Sequence, residues 1–365
     1  RKFKYKDRMT RKPDTELRRG WTTGACAAAA AKAACSALIG RGFLDPVSIT
    51  LPKGEVPSFA LEVKSTGEGW AEAGITKDAG DDPDVTHGAL ILAKVSLGKA
   101  GQGLRFHAGS GVGIITKPGL PLPIGEPAIN PVPRLMIDQA IADVIAEAGV
   151  APDFDVTISI RDGEKLALKT WNGRLGIVGG LSVLGTTGVV RPFSCSAWIA
   201  SIHRGIDVAV ATGTPHVIAA TGATSEHVAR EIYSLSEEEC LDMGDFAGGV
   251  LKYLRRHPVP KLTIAGGIGK MTKLAQGASD LHSGRSQVDF IALGSIASAL
   301  GFDQTAVARA NTALEAYQIC GAPLATEIAK EARKTALRLL DGAPVEVETI
   351  VIDRSGNLVA RAGFK

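Results

Sequence analysis

The sequence predicts an α/β protein in two parts: an α+β N-terminal domain, then a Rossmann-like α/β C-terminal domain with a mostly parallel sheet. Three observations predict it. Gly reaches 43 of 365 residues while aromatics are only 5%, a balance that suits many tight strand-to-helix turns. The second half repeats strand, glycine-bearing loop and helix, the pattern of a parallel sheet with ligands at the strand carboxyl ends. The first half instead mixes short strand-like segments with two helical ones. A chain of 365 residues exceeds one ordinary core. The expected division is a basic arm over 1–19, an α+β domain over 20–175 and the Rossmann-like domain over 176–365.

The first helix is expected over Ala25–Leu38. Alanine is the strongest helix former, and Thr22 or Thr23 can cap the start beside Gly24. A bare helix start suits a carboxylate or phosphate; so many small side chains equally suit a tightly packed core helix. Strands are expected at Val47–Leu51, Phe59–Lys64, Trp70–Thr76, Ile91–Leu97 and Asp155–Ile160, from β-branched content and alternation. Between the last two, Pro133–Ala148 reads as a helix with Ile137, Ile141 and Val144 on one core-facing stripe. In the second half, strands are expected at Asp207–Ala211, Val217–Ala220, Cys240–Met243 and Leu262–Ala265. The last three each lead through glycine (Gly222, Gly244, Gly266) into a helix. Helices follow at Ser286–Leu300, Asp303–Gln318 and Thr326–Leu340, and a hairpin turned at Ser355-Gly-Asn closes the chain.

Net charge is +3, too small to imply a polyanionic partner, and the low aromatic content argues against a nucleic-acid platform. Residues 1–20 hold nine Lys or Arg against three acids, read as a solvated terminus. The basic start and alanine run resemble a signal peptide, but Lys32 interrupts the apolar stretch. No stretch has the ~18 apolar residues of a membrane span. Five scattered cysteines without a C-x-x-C pair fit reduced thiols and a cytoplasmic protein.

Common nucleotide signatures fail. A P-loop ending at Lys270 would need Gly at 264 and Ser or Thr at 271, where Ile264 and Met271 stand. Gly109-Ser-Gly-Val-Gly113 is followed by Ile114, not glycine. Asp81-Asp-Pro-Asp84 packs three carboxylates into one loop, readable as a turn or as a proton acceptor; no second carboxylate cluster completes a metal site, so none is expected. The proline-rich segment from Gly125 to Arg134 holds Glu126, Asn130 and Arg134 with few degrees of freedom. Arg134 near a helix start implies an anionic ligand or a salt bridge to Glu126. Asp242-Met-Gly-Asp245 at a strand end is a loose echo of the acidic loop that holds S-adenosylmethionine in Rossmann-like methyltransferases. Lys270 and Lys273, followed by His282, Ser283 and Arg285, form either a carboxylate-binding or a solvated basic face.

Thr22-Thr-Gly-Ala-Cys-Ala-Ala-Ala-Ala-Ala-Lys-Ala-Ala34, Gly80-Asp-Asp-Pro-Asp-Val-Thr86, Gly111 to Gly119, Gly125 to Arg134, Gly173 to Gly180, Leu184-Gly-Thr-Thr-Gly188, Met243-Gly-Asp-Phe246 and Gly269-Lys270 to Ser283 resemble the cobalt-precorrin-5B C1-methyltransferases of cobalamin biosynthesis. The likeness runs from about residue 17 to the C-terminus. It implies S-adenosylmethionine as methyl donor and a corrinoid precursor as acceptor. Where that family carries His after the first glycine of the segment before Gly269-Lys270, this chain has Gly267, so no base is carried over there. Cys195-Ser-Ala-Trp198 is given no role.

The acceptor's acetate and propionate groups need cations. For them the reading offers Lys117, Arg134, Arg174, Lys270 and Lys273, with Glu126 and Asn130 beside Arg134 and N–H groups at Thr22, Thr23, Gly24, Thr186 and Thr187. Gly222, Glu226, Gly244 and Asp245 are the expected donor contacts. Asp82 or Asp84, then His282, are the expected proton acceptors. No nucleic acid, membrane or resident metal is expected. A homo-oligomer and passing contacts with other cobalamin-pathway enzymes are compatible with the reading. The competing readings are a non-catalytic tetrapyrrole carrier and a small-molecule kinase, whose Gly-Ser-Ser loop is absent.

Overall fold

A computed structural model of the chain describes residues 16–146 and 148–365. They form two compact units that part between Ser194 and Cys195. The division expected at 175/176 thus falls later, and strand pairing is the reason. Ile177–Val178 pairs with Ile114–Ile115, and Val189–Val190 with Gly20–Trp21, which stitches the stretch after 175 to the first unit. Most of the expected basic arm, residues 1–15, lies outside the described residues.

The first unit contains α1 (Thr23–Leu38), β1 (Val63–Gly67), β2 (Trp70–Thr76), β3 (Leu90–Leu97), β4 (Leu104–Ala108), α2 (Pro131–Ala146) and β5 (Phe154–Ile160). Its sheet runs β1-β2-β3-β5-β4, antiparallel except for the parallel β4–β5 pair at the edge. Every residue from Ala25 to Ala31 is fully buried, so α1 is a core helix, packed on α2, β2 and β3. A Cβ at Gly24 would come within 2.8 Å of the Pro133 ring; glycine there lets α1 approach α2. The expected stripe Ile137, Ile141 and Val144 is buried. The strand β4 escaped the sequence reading because Arg105 and His107 interrupt its apolar content.

The second unit contains α3 (Cys195–Ala211), β6 (His216–Ala220), α4 (Ala223–Tyr233), β7 (Cys240–Leu241), α5 (Ala247–Leu254), β8 (Lys261–Gly267), α6 (Ile268–Ala275), α7 (Phe290–Ala299), α8 (Gln304–Ala308), α9 (Ala313–Cys320), α10 (Ala322–Leu340), β9 (Glu346–Ile352) and β10 (Leu358–Ala362). The sheet order is β7-β6-β8-β9-β10, parallel except for the final hairpin. The Asp353 carboxylate accepts the Ser355 and Asn357 amides and fixes the hairpin's turn. Helices α3, α5, α6 and α10 contribute to the larger core, while α4 packs on the opposite sheet face.

Two expectations are corrected. Asp207–Ala211 is not a strand but the last turns of α3: Ile202, Ile206 and Ala209 are buried at helical spacing, which the local Val-Ala-Val-Ala run conceals. Asp303–Gln318 is not one helix. It breaks into α8 and α9, and the Thr312 hydroxyl caps the second by accepting Glu315 N at 3.1 Å.

Candidate functional site

In the second unit, helices leave the ends of β6 and β8 toward opposite sheet faces. This is the switch point where open α/β sheets receive ligands. The Ala220 carbonyl at the end of β6 accepts Gly244 N at 3.1 Å, and Thr221 N donates to the Ala265 carbonyl at 2.9 Å. Three loops therefore meet at one edge. Gly222 precedes α4 in extended conformation with no side-chain cap, and a Cβ built on it would meet nothing within 4 Å. Gly267 likewise leaves the start of α6 without a side-chain cap. A Cβ at Gly266 would press to 2.9 Å from the Thr221 methyl, and Gly244 turns at φ +54°, a conformation that favours glycine.

Charged groups gather beside these glycines. Lys270 pairs with Asp245, their side chains 32% and 23% exposed. The Lys270 ammonium also donates to the Leu281 carbonyl at 3.0 Å, and Lys273 donates to the same oxygen at 3.1 Å. Leu281 N in turn donates to the Asp245 carbonyl at 2.8 Å. Lys273 is only 7% exposed. Burial and then the neighbouring Lys270 charge push its pKa down, against the pull of Asp245 and Asp280. His282 N donates to Asp280 at 3.0 Å, and its ring Nδ1 accepts Gly284 N at 3.0 Å. Burial would raise the Asp280 carboxyl, but Arg285 and the His282 amide outweigh it and hold it low. Gly222, Gly244, Asp245, Lys270, Lys273 and His282 are thus joined by short links, with Glu226 in the first turn of α4.

In the first unit, the start of α1 is closed. Ala25 N donates to the Thr22 hydroxyl at 3.2 Å, Gly24 N to the Leu184 carbonyl at 3.1 Å and Cys26 N to the Thr22 carbonyl at 3.1 Å. Thr22, Thr23 and Gly24 are buried. Protein oxygens hold the donors that an anion would need, and the packed core helix is what the fold contains. Thr187 closes a local turn with Val189, whose amide donates to its hydroxyl at 3.3 Å, and Thr186 is exposed.

The acidic loop holds a residue that the sequence reading missed. Lys77 is 1% exposed and pairs with Asp84; its ammonium also reaches the Thr86 hydroxyl at 2.6 Å. A lysine at the end of a strand gives no sign of burial in sequence, and only the downstream carboxylate hints at it. Burial alone would raise the Asp84 carboxyl; the Lys77 charge and the Lys77 and Thr86 hydrogen bonds hold it below its ordinary value. Asp82 moves the other way: burial raises it, Asp84 adds to that, and the Phe193 amide, donating at 2.9 Å, opposes with Lys77. Of the two expected acceptors, Asp84 is thus spent on Lys77, while Asp82 holds its proton more firmly.

Arg134 takes the salt-bridge alternative. Its guanidinium donates to Glu126 at 2.8 Å and to the Ile129 carbonyl at 2.8 Å, and it lies over the Phe106 ring at 5.1 Å. Asn130 N donates to the Val183 carbonyl at 3.0 Å, and its own carbonyl accepts Arg134 N at 3.1 Å. These groups brace the Gly125–Arg134 segment. Lys117 lies against Gly176, where a Cβ would meet its chain at 2.5 Å, and the Arg174 guanidinium sits 4.1 Å over the Trp171 ring. Two shallow hollows, about 280 Å³ beside Trp21, Phe59, Glu62 and Asp78 and about 240 Å³ beside Gln276, Glu331 and Arg338, hold none of the expected site residues.

These features define an α/β protein whose second unit is Rossmann-like and presents glycines and paired charges at the switch point of its sheet. Family models carry the class further. One described as CbiD matches residues 10–192, and one described as CbiD, C-terminal domain, matches residues 280–363. The cobalt-precorrin-5B C(1)-methyltransferase of Paramagnetospirillum magneticum is 59% identical over 95% of this chain and 98% of its own length. Those of Brucella anthropi and Rhodospirillum rubrum are each 60% identical over 95% of this chain, covering 96% and 98% of their own lengths. A crystal structure of the cobalamin biosynthesis protein CbiD from Archaeoglobus fulgidus is 29% identical, with a TM-score of 0.41 over 74% of this chain and 84% of that one. This chain belongs to the CbiD family.

Proposed function

We propose that this chain transfers a methyl group from S-adenosylmethionine to C1 of cobalt-precorrin-5B, in the biosynthesis of cobalamin. The observation that supports this most is the near 60% identity, over almost the whole chain, to relatives that carry that activity in their names. The donor, when bound, supplies an electrophilic methyl carbon on a sulfonium.

The residues at the switch point fit such a donor. Gly222 leaves open space where a side chain would stand, and Gly244 makes its turn without a side chain. Glu226 and Asp245 are the carboxylates offered to the donor's hydroxyl and ammonium groups. For the acid-rich ring the second unit, taken by itself, offers Lys270, a cation held in place by Asp245 and Leu281; Lys117 and Arg174 are the separate candidates of the first unit. Lys273, buried beside Lys270, supports Leu281. His282 is the proton acceptor proposed within the second unit; Asp82 is the first unit's own candidate. The protein's main task is alignment, because an electron-rich macrocycle brings its own nucleophilicity; orientation of this kind is worth up to several kcal/mol. The reading places the enzyme in the cytoplasm, in keeping with five unbridged cysteines.

The test is incubation with methyl-labelled donor and the macrocycle, with and without cobalt, followed by mass and NMR location of the new carbon. One label at C1 of the cobalt-bearing ring, with S-adenosylhomocysteine released, is the expected outcome. Tight binding of the ring with no transfer would instead make the protein a tetrapyrrole carrier.

A further inference from the structure

We propose that Trp198 and Asp242 form the adenosine-recognition subsite of the second unit, the indole stacking on the adenine and the carboxylate taking the ribose hydroxyls. The inference rests on the methyl-donor reading and adds two residues that reading does not use.

Asp242 directly follows β7 at the carboxyl end of the sheet. It lies twenty residues beyond Gly222, since 242 − 222 = 20. In dinucleotide-binding Rossmann folds an acid about 20 residues beyond the first glycine turn, at the end of the second strand, holds the ribose hydroxyls. Here β6 is the first strand of the parallel sheet and β7 the second, so Asp242 occupies that topological place. This chain reaches the place without the full glycine fingerprint, which is why Asp242-Met-Gly-Asp245 is only a loose echo in sequence.

Trp198 is fixed to the same turn. Its indole Nε1–H donates to the Asp242 carbonyl at 2.8 Å. Its ring covers Gly244, where a built Cβ would touch Cζ2 at 3.5 Å. Phe246 stands 6.2 Å away, centroid to centroid, tilted by 50°, and the Arg285 guanidinium lies 5.6 Å over the Phe246 ring. The indole is partly exposed. A partly exposed tryptophan tied by its N–H to a ligand-edge turn is a rigid aromatic face at low entropic cost. Asp245 is already matched by Lys270, so the charge that selects the occupant at the indole is the Asp242 carboxylate, which suits hydroxyl and cationic groups.

Binding of S-adenosylhomocysteine to this chain, followed by calorimetry and by tryptophan emission, tests the assignment. The wild type should bind with quenching of emission. Asp242→Asn should weaken binding at least ten-fold, the loss of a charge-assisted hydrogen bond. Trp198→Leu should weaken it at least about five-fold, the value of one stacked base. Trp198→Tyr should restore most of the affinity but not the quench, and serves if the leucine variant folds poorly. Wild-type affinity in both Asp242→Asn and Trp198→Leu, with binding abolished by Gly222→Val, would overturn this subsite and leave the donor site standing. Weakened macrocycle binding with unchanged S-adenosylhomocysteine affinity would also overturn it. A wild type that does not bind S-adenosylhomocysteine would overturn the donor reading itself.

Discussion

Lys77–Asp84 in the first unit and Lys270–Asp245 in the second are the same chemical pair in two settings. Lys77 is 1% exposed and Asp84 24%. Thr86 supplies a second partner to the ammonium and an amide and hydroxyl to the carboxylate. Lys270 and Asp245 are both partly exposed, and the lysine's other partner is a single carbonyl, Leu281. A buried pair fixes a loop, because each ion is costly to strand alone. A pair with both partners partly exposed costs less to separate, because water shares the cost. The helix starts repeat the contrast: α1 begins among protein oxygens, whereas α4 begins at a glycine facing open space.

The largest effect should come from the buried pair. Lys77→Met leaves Asp84 partly buried without its counter-ion and should lower the unfolding free energy by about 3 kcal/mol, measured by urea denaturation. The pH dependence has a definite sign. Asp84 is held below its ordinary value in the folded protein, so its contribution is present above the unfolded value, near pH 3.9. That contribution is lost as pH falls through the lower folded value. In Lys77→Met this acid-side loss should shrink or reverse. An unchanged urea midpoint would show that Lys77 is not a strut and would break the comparison.

Lys270→Met should behave in the opposite way. Stability should change by less than about 1 kcal/mol, as for partly exposed pairs, while methyl transfer falls at least about ten-fold through the loss of one charged contact. A large stability loss with intact kcat/KM would place Lys270 in the same structural class as Lys77 and erase the distinction.

The strand-and-glycine frame of this contrast is legible in sequence; the pairs and the state of each helix start are not, for physical reasons. The strand ends after β6, β7 and β8 were legible because apolar runs followed by glycine and a helix are a local signal, one that Ala220–Gly222 and Leu262–Gly267 both carry. Whether a helix start is open is not local. Thr22 and Gly24 look as exposed as Gly222 in sequence, yet the Leu184 carbonyl that closes α1 comes from a segment far along the chain. Lys77 was missed for the same reason: burial of a lysine depends on a carboxylate that the loop folds back to deliver. Arg134 was legible only as a choice, and Glu126 took it. The helix that carries Trp198 is not legible either, because the Val-Ala-Val-Ala run at its end reads as a strand.

Arg18–Asp78 extends the series to its exposed end and should give the smallest effect. The side chains are 58% and 46% exposed, and one Arg18 nitrogen donates to Asp78 at 2.9 Å. The Arg18 hydrogen bond, helped by the Gly80 amide, holds the Asp78 carboxyl down at about 2. A depressed carboxyl stabilises the fold above its unfolded value and loses that contribution as pH falls through the folded one, here between about pH 4 and pH 2. Water and salt screen so exposed a pair, so Arg18→Gln should barely move the urea midpoint at neutral pH. A carboxyl NMR titration should still show it. The Asp78 midpoint should rise in Arg18→Gln yet stay below the ordinary carboxylate value, because the Gly80 amide continues to donate at 2.9 Å. High salt should move the wild type toward the variant. A midpoint that ignores both the substitution and salt would mean that the backbone amide alone sets Asp78, and the series of pairs would then end at Lys270–Asp245.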